Sequence, residues 1–512
     1  MDIKARINKI IASVTLFLTI FLFLNIFISS FFYPSNVFYE ENNFISLILA
    51  FLLILILCFM YKRFIYKKSD ISKKYEIIIL IILFFFLLLV ELFVLKNLSV
   101  NPGWDFGVVF KNAETYVLTG IRDKTYYPSY FEYFPNNIML FVMLVIFIKG
   151  GALIGLSALN SAWLMNLLFI NLSYIMLYLT LRKKFGNRTA IFGLVISFFF
   201  IAPILYSSIF YSDTLSMFVG ITFIFLFLYL NKEKTFCFRN SLIFVLFGIL
   251  LFYGKEIKIT SIIPFIAIII YLLFSSKNKK LILNLLSTLT VFIILSTVFK
   301  VCIVDNSKFG FQESSYGKVP YTHWIMMGVE DIERDNSGRN SYGGYNINDY
   351  NLTLQFDNGK EAVKFNIDET LTRIKKMGAV GYYKYLNKKA VNAWTDGLYL
   401  VDAKLAMNSR HADDFIYNEL LLNKTNKYKL IYFSQSMQYL FIISLVIGAL
   451  LKLLDHSKNI DIVRLSIVGI CIFLLFWENR SRYLLNFIPL FVYGICEFYV
   501  LLENKYFKNI KN

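Results

Sequence analysis

Long apolar runs separated by short basic connectors recur along most of the chain. About twelve of them reach or approach the roughly 20 residues that a spanning helix needs. We place the predicted spans at residues 10–32, 44–61, 76–95, 160–181, 189–207, 213–231, 240–254, 258–275, 281–301, 432–452, 462–477 and 483–502. A hydrophobic fraction of 57% agrees with this pattern, because ordinary globular domains contain about 45–50% apolar residues. The sequence predicts an all-α polytopic membrane protein.

The net charge of +18 comes mostly from the connectors between the apolar runs. The basic connectors are residues 62–74, 182–184, 232–239, 277–280 and 452–458, and the tail from Lys505. The positive-inside rule places all of them, and both termini, in the cytoplasm. No basic helix or basic domain stands apart from the spans, so the charge does not indicate nucleic-acid binding. We therefore expect a multi-pass protein of the cell membrane, surrounded by membrane lipids.

Hydrophilic segments divide the chain into four regions. These are an N-terminal transmembrane hairpin (1–75), a transmembrane core (76–302), an external and mostly helical soluble domain (303–431), and C-terminal transmembrane helices with a cytoplasmic tail (432–512). The core carries one long external loop, residues 97–160. Its apolar run at 136–148 is too short for a span, since runs of 10–14 residues are more often interfacial or re-entrant. We expect it to lie in or along the outer leaflet.

Most of the polar residues of interest lie at the ends of the spans that the charge pattern places outside. They are Asp105, Asp213, Lys255, Lys258, Glu478, Arg480, Arg482 and Tyr483. A carboxylate at the edge of a cavity suits a general base, which would remove a proton from an incoming hydroxyl or amine. Asp105 and Asp213 are the candidates, although either could simply begin a helix. The second acid could instead orient the acceptor or hold a divalent cation, Mg²⁺ or Mn²⁺.

Cations on the outer side of a membrane run against the positive-inside rule, so they call for a partner. Lys255 and Lys258 could extend to lipid headgroups, but a lipid-linked phosphate is the natural ligand of a lysine ammonium. Arg480 and Arg482 suit bidentate phosphate contact, unless Glu478 pairs with one of them. His323 could stack on a sugar or belong to the core of the external domain.

Three kinds of sequence signal are not visible in this chain. The five cysteines are scattered, with no metal-ligand spacing and no disulfide framework. There is no Walker motif or Gly-rich nucleotide cradle, and this argues against a nucleotide-driven pump. Internal repeats, which many secondary transporters have, are not visible either.

Five local patterns are similar to those of one enzyme superfamily. Asp105 follows a span, and an aromatic, Pro-containing stretch comes after it at 126–137. Further along are a basic-Phe-Gly turn at 181–186, a Tyr-Ser-Asp turn ending at Asp213, and an Arg482-Tyr483 pair before an apolar run. The chain resembles the GT-C superfamily of multi-span glycosyltransferases, which includes protein mannosyltransferases and bacterial aminoarabinose transferases. The similarity covers roughly residues 76–300 and 432–502. Here the first acid lacks the acidic neighbour that several relatives have.

The resemblance implies a hexosyl- or pentosyltransferase that uses a polyprenyl-phosphate-linked sugar on the outer membrane face. Asp105 would be the base, and the anomeric configuration would invert. Lys255, Lys258, Arg480 and Arg482 would hold the carrier phosphate, and the acceptor would be an envelope polymer, glycolipid or protein. Three alternatives stay open: a transporter or flippase of lipid-linked saccharides, a polymerase or ligase of envelope polymers, and a non-catalytic scaffold.

Overall fold

The computed structural model describes residues 3–33, 43–66, 68–122, 130–275, 278–311, 319–332, 341–356, 359–454 and 459–507. The first thirteen helices of this part are α1 (Ile3–Ser29), α2 (Asn43–Phe64), α3 (Lys73–Leu98), α4 (Trp104–Thr119), α5 (Tyr130–Tyr133), α6 (Ile138–Ala152), α7 (Ala158–Phe185), α8 (Asn187–Phe199), α9 (Ala202–Leu205), α10 (Ser212–Leu228), α11 (Phe238–Ile257), α12 (Ile263–Phe274) and α13 (Leu285–Phe299). The hydrophilic segment contains α14 (Tyr321–Met327), α15 (Ile347–Leu354), α16 (Gly359–Trp394), α17 (Val401–Met407) and α18 (Phe415–Tyr417). The last three helices are α19 (Lys424–Leu454), α20 (Ile462–Phe476) and α21 (Ile488–Leu502).

Other regular structure is short. The described strands are β1 (Asp331–Ile332) and β2 (Ser341–Tyr342), an antiparallel pair in which Asp331 lies opposite Tyr342. Tight 3-10 turns occupy Pro135–Asn137, Tyr206–Ser208, Ile259–Ile262, Lys279–Asn284 and Ser481–Phe487. Wider π turns occupy Lys300–Val304, Asn418–Leu422 and Glu503–Phe507.

Within the described residues, nine helical stretches are long and apolar enough to cross a membrane. A tenth results if Asn187–Phe199 and Ala202–Ser208, bent by 56°, form one broken span. The apolar helices Ser212–Leu228, Ile259–Phe274 and Ile462–Phe476 also match predicted spans. However, a helix of that size is only about 25 Å long, which is less than the thickness of the hydrocarbon core. The predicted all-α polytopic architecture is confirmed, whereas the count of twelve spans is not confirmed.

The apolar run at 136–148 belongs to a longer helix than the sequence suggested. The stretch Pro135–Ala152 has 18 residues and, like the other eight, is long and apolar enough to cross a membrane. Its main helix, α6, packs against α4 and α7. The location of this helix in or along the outer leaflet stays a prediction.

The centre of the bundle is formed by helices from both ends of the chain. The long helix α19 packs against α1, α2 and α21, while α7 packs against α8 and α10. Large apolar side chains of α2 and α3, such as Leu55 and Phe85, are exposed, as expected for positions that face lipid. Together these contacts give an inner group of buried helices and a lipid-facing edge.

Buried charges tie the C-terminal helices together at the end where the basic connectors lie. Lys452 Nζ is 2.6 Å from a carboxylate oxygen of Asp461 and 2.6 Å from one of Glu497. Arg464, which is 1% exposed, contacts the same two acids. Two cations and two anions balance, so this cluster joins α19, α20 and α21 without leaving a net buried charge.

The end of the hydrophilic segment 303–431 packs into the bundle. Helix α16 is kinked at Gly378, where φ is 64°, and Trp394 at its end is 1% exposed. The Trp394 ring lies 4.8 Å from that of Phe23 in α1. A Cβ added at Gly397 would come within 2.0 Å of the Ser434 carbonyl oxygen, so only glycine permits this approach to α19. The packing carries α17 to the ends of the spans where the candidate site lies.

Candidate functional site

Three helix ends converge on the carboxylate of Asp213. Asp213 lies in the first turn of α10 and is fully buried. Lys258, directly after α11, places its Nζ 3.0 Å from Asp213 Oδ1. Arg482, in the turn that precedes α21, contacts Asp213 Oδ2. One carboxylate thus holds two cations, and the group keeps a net positive charge.

Aromatic rings enclose the two cations. The guanidinium carbon of Arg482 lies 4.2 Å from the centroid of the Tyr211 ring. The ammonium of Lys258 lies 4.1 Å from the centroid of the Tyr483 ring. Such cation–π contacts stabilise a charge in a place that water reaches poorly. Burial also lowers the pKa of Lys258, while the Asp213 carboxylate opposes this change.

Glu478 joins the group through Tyr483. The hydroxyl of Tyr483 donates a hydrogen bond of 2.8 Å to Glu478 Oε2. The Nε of Arg480 lies 3.8 Å from Glu478 Oε1, and the Arg480 side chain is 31% exposed. Arg480 is therefore the arginine of the pair that keeps more access to solvent, while Arg482 is committed to Asp213.

Asp105 reaches the same place from another direction. It is exposed in the first turn of α4, and its carboxylate makes a hydrogen bond with the Tyr130 hydroxyl. It also acts electrostatically on Tyr211, the residue that stacks on Arg482. The ring of Phe106, the next residue in α4, lies 5.5 Å from the Tyr211 ring. The structure thus brings Asp105, Asp213 and Arg482 together around Tyr211, and Lys258 joins them through Asp213.

The turn before Asp105 is held by the hydrophilic segment. The Asn101 amide donates to the Asn408 carbonyl at 2.9 Å, and the Arg410 amide donates to the Ser99 carbonyl at 3.0 Å. At the start of α4, Trp104 has a φ of 48°, in the left-handed region that side chains larger than glycine rarely adopt. Strain of this kind persists only where the surroundings enforce it, and it concentrates at functional sites.

Lys404 is a member of this site that the sequence did not indicate. It lies in α17, and its Nζ is 4.2 Å from the centroid of the Trp104 ring and 5.6 Å from that of Tyr211. Burial, with Arg482 and Arg480 nearby, lowers its pKa to about 7, and Asp105 and Asp213 oppose this. No local pattern distinguishes Lys404 from the other lysines of the hydrophilic segment, because only the packing of α17 brings it here.

Two residues predicted for the site have other neighbours. Lys255 is half exposed and pairs with the adjacent Glu256. His323 is buried, and its Nδ1 lies 2.8 Å from Thr353 Oγ1. Burial lowers the His323 pKa to about 4, so the ring is neutral and packs inside the hydrophilic segment. Neither residue contacts Asp105 or Asp213 in the part of the chain that the structure describes.

A divalent cation does not match the donors at Asp213. Both of its carboxylate oxygens face cations of the protein. Over the described ranges, no three His, Cys, Asp or Glu side chains come together as a metal-binding group. The donor set suits the ammonium and guanidinium already in place, and the predicted Mg²⁺ or Mn²⁺ has no group of ligands there.

Comparisons with known proteins give one family and two structures. The family described as "Conserved hypothetical integral membrane protein" matches residues 3–497. The crystal structure of ArnT from Cupriavidus metallidurans bound to undecaprenyl phosphate is 14% identical, with a TM-score of 0.36, covering 82% of this chain and 78% of that one. The apo structure of the same ArnT is 14% identical, with a TM-score of 0.33 and coverages of 80% and 77%. No curated protein matches the sequence. The chain belongs to the family of conserved hypothetical integral membrane proteins.

Proposed function

We propose that this protein is a membrane glycosyltransferase that moves a sugar from a polyprenyl-phosphate carrier to a cell-envelope acceptor. One observation carries the proposal: an exposed carboxylate, Asp105, and a buried cation pair, Lys258 and Arg482, meet at Tyr211. Asp105 acts electrostatically on Tyr211, and Arg482 of the pair stacks on its ring. A sugar transfer from a phosphate needs these two elements side by side, a base for the acceptor and positive charge for the leaving group.

In the proposed reaction, the acceptor hydroxyl lies at Asp105, which takes its proton. The hydroxyl oxygen attacks the anomeric carbon from the face opposite the phosphate. The bond between that carbon and the phosphate oxygen breaks, and its electron pair leaves with the carrier phosphate. The configuration at the anomeric carbon therefore inverts. Lys258, Arg480 and Arg482 stabilise the negative charge of the departing phosphate.

Asp213 has a different role in this proposal. Its oxygens face Lys258 and Arg482, so it is poorly placed to accept a proton from a substrate. Instead it fixes the direction of the two cations before the donor binds. Preorganised charge of this kind needs no rearrangement during the reaction, and so it lowers the barrier more than mobile charge does. We therefore assign Asp213 as a positioning residue and Asp105 as the base.

The base assignment is tested with Asp105→Asn in membranes supplied with a lipid-linked sugar. Loss of a general base reduces rates by about 100- to 10,000-fold, so we expect at least a hundredfold loss of transfer. Glu114→Gln is the matched control, because Glu114 is an acid of the same helix that pairs with Lys111. Full transfer by Asp105→Asn would exclude the base role.

The flippase and polymerase alternatives predict different products from the proposed enzyme. A flippase would move a labelled lipid-linked sugar across proteoliposome membranes without forming a covalent product. A polymerase or ligase would extend a chain, whereas the proposed enzyme adds a single sugar. We also propose that the site lies on the outer face and that both termini lie in the cytoplasm. Access of a membrane-impermeant reagent to a cysteine introduced at the exposed Lys111 of α4 tests this.

A further inference from the structure

Lys404 stands out among the cations of the site because its charge is not matched. Lys258 and Arg482 share Asp213, Arg480 lies beside Glu478, and Lys255 pairs with Glu256. Among the side chains that the structure describes, no carboxylate lies within ion-pair distance of the Lys404 ammonium. Its contacts are the rings of Trp104 and Tyr211.

The position of Lys404 is defined by those two rings. Trp104 is the neighbour of Asp105 in the chain, and Tyr211 is the residue on which Arg482 stacks. Asp105, Arg480 and Arg482 all act electrostatically on the Lys404 ammonium. Lys404 thus lies near both the proposed base and the arginines, where the reacting part of a bound donor and acceptor would be.

An ammonium that is partly withdrawn from water without a counter-ion is costly. Cation–π contacts offset only part of that cost. The two nearby arginines add repulsion, and together with burial they lower the Lys404 pKa to about 7. An anion bound at this point would relieve the repulsion and favour the charged ammonium. The local electrostatics therefore suit a negatively charged ligand.

We propose that Lys404 binds an anionic oxygen group of a substrate, a phosphate or a carboxylate, between Asp105 and Arg482. The inference rests on the proposed function and deepens it, because it makes the hydrophilic segment part of the substrate site. The anion has two sources, the phosphate of the lipid-linked donor or an acidic group of the acceptor. If Lys404 only packs on Trp104, a side chain of similar length without charge would serve equally well.

The experiment measures binding to the purified full-length protein in lipid nanodiscs. The variants are Lys404→Met, which keeps the length and removes the charge, and Lys404→Arg, which keeps the charge. Lys384→Met is the control, since Lys384 is an exposed lysine of α16 outside the site. In the first arm the probe is polyprenyl monophosphate, with the uncharged polyprenol as its comparison, and the readout is the change in tryptophan fluorescence.

If the donor phosphate is the anion, Lys404→Met binds polyprenyl monophosphate at least tenfold more weakly, and Lys404→Arg stays within threefold of the original protein. Polyprenol binding does not change. In the second arm, glycerol 3-phosphate is added to protein saturated with polyprenyl monophosphate. If the acceptor supplies the anion, the original protein binds this second phosphate and Lys404→Met does not.

The proposal would be overturned if Lys404→Met bound polyprenyl monophosphate and glycerol 3-phosphate as the original protein does. The thermal midpoint of each variant is measured first, and Lys404→Gln replaces Lys404→Met if the latter does not fold. Because binding is read without transfer, the outcome is separate from that of the Asp105 test. Loss of anion binding with full activity of Asp105→Asn would leave the Lys404 site and remove only the proposed base.

Discussion

Ser481 donates a hydrogen bond of 2.6 Å to Asp396, and this contact joins the turn that carries Arg480 and Arg482 to the hydrophilic segment. Asp396 also accepts hydrogen bonds of 3.1 Å from the amides of Leu398 and Leu400. These bonds shape the turn before α17, where Leu400 has a φ of 62°. A single carboxyl group thus positions both the arginine turn and the helix of Lys404.

The stability of the protein should depend on the protonation of Asp396. Burial, followed by the charge of Asp402, raises its pKa from 3.8 to about 7. Between about pH 4 and pH 7 the folded protein holds a proton here that the unfolded chain has lost, so stability falls as pH rises through that range. At about 1.4 kcal/mol per pKa unit, the total effect is a few kcal/mol.

Asp396→Asn cannot ionise and should remove this dependence. We expect its thermal midpoint to change less between pH 5 and pH 8 than that of the original protein. Asp413→Asn, at an exposed position of the same segment, serves as the control and should keep the original slope. An unchanged slope in Asp396→Asn would show that Asp396 is ionised throughout the range.

Asp213→Asn should destabilise the protein as well as impair transfer. The change leaves Lys258 and Arg482 facing each other without the carboxylate between them. Removing one partner of a buried ion pair costs about 3–5 kcal/mol. The thermal midpoint in detergent should fall, and adding Lys258→Met should recover part of it because one of the two opposed charges is removed. No recovery in the double variant would mean that repulsion is not the cause.

Gly103→Ala should disturb the turn that presents Asp105. A Cβ at Gly103 would come within 2.0 Å of Asn408 Nδ2, so the Asn408 side chain must move. Overpacking of this kind costs about 1–3 kcal/mol. We expect a lower thermal midpoint and slower transfer, both restored in part by the second change Asn408→Ala. Additive losses in the double variant would point to a backbone effect instead.

Glu497→Gln tests the buried charges at the other end of the bundle. It leaves Lys452 and Arg464 with only Asp461 as a counter-charge. We expect a loss of stability on the order of a few kcal/mol, because an unbalanced buried charge is costly. Adding Lys452→Met restores the balance, so the double variant should be more stable than Glu497→Gln alone. The exposed Glu361→Gln should have little effect.

Part of the candidate site was open to prediction from span ends and charge. Asp105, Asp213, Lys258 and Arg482 lie at such ends. The structure shows three of them around Tyr211 and the fourth, Lys258, on Asp213. The sequence could not show which of Lys255 and Lys258 joins the site, because this depends on which side of α11 faces α10. The burial of His323 depends on its contact with Thr353, 30 residues further along, which a local pattern does not contain.

The sequence by itself determined the helical, membrane-embedded class, since apolar runs of spanning length leave the backbone no other way to satisfy its hydrogen bonds in lipid. Only the tertiary structure decided which polar residues meet. The sequence predicts that the hydrophilic segment, which contains Asp396, Lys404 and Asn408, is a separate external domain. In the structure, Trp394 and Gly397 of this segment pack against helices of the bundle. Contacts between residues far apart in the chain depend on side-chain packing, which hydropathy and charge patterns do not predict.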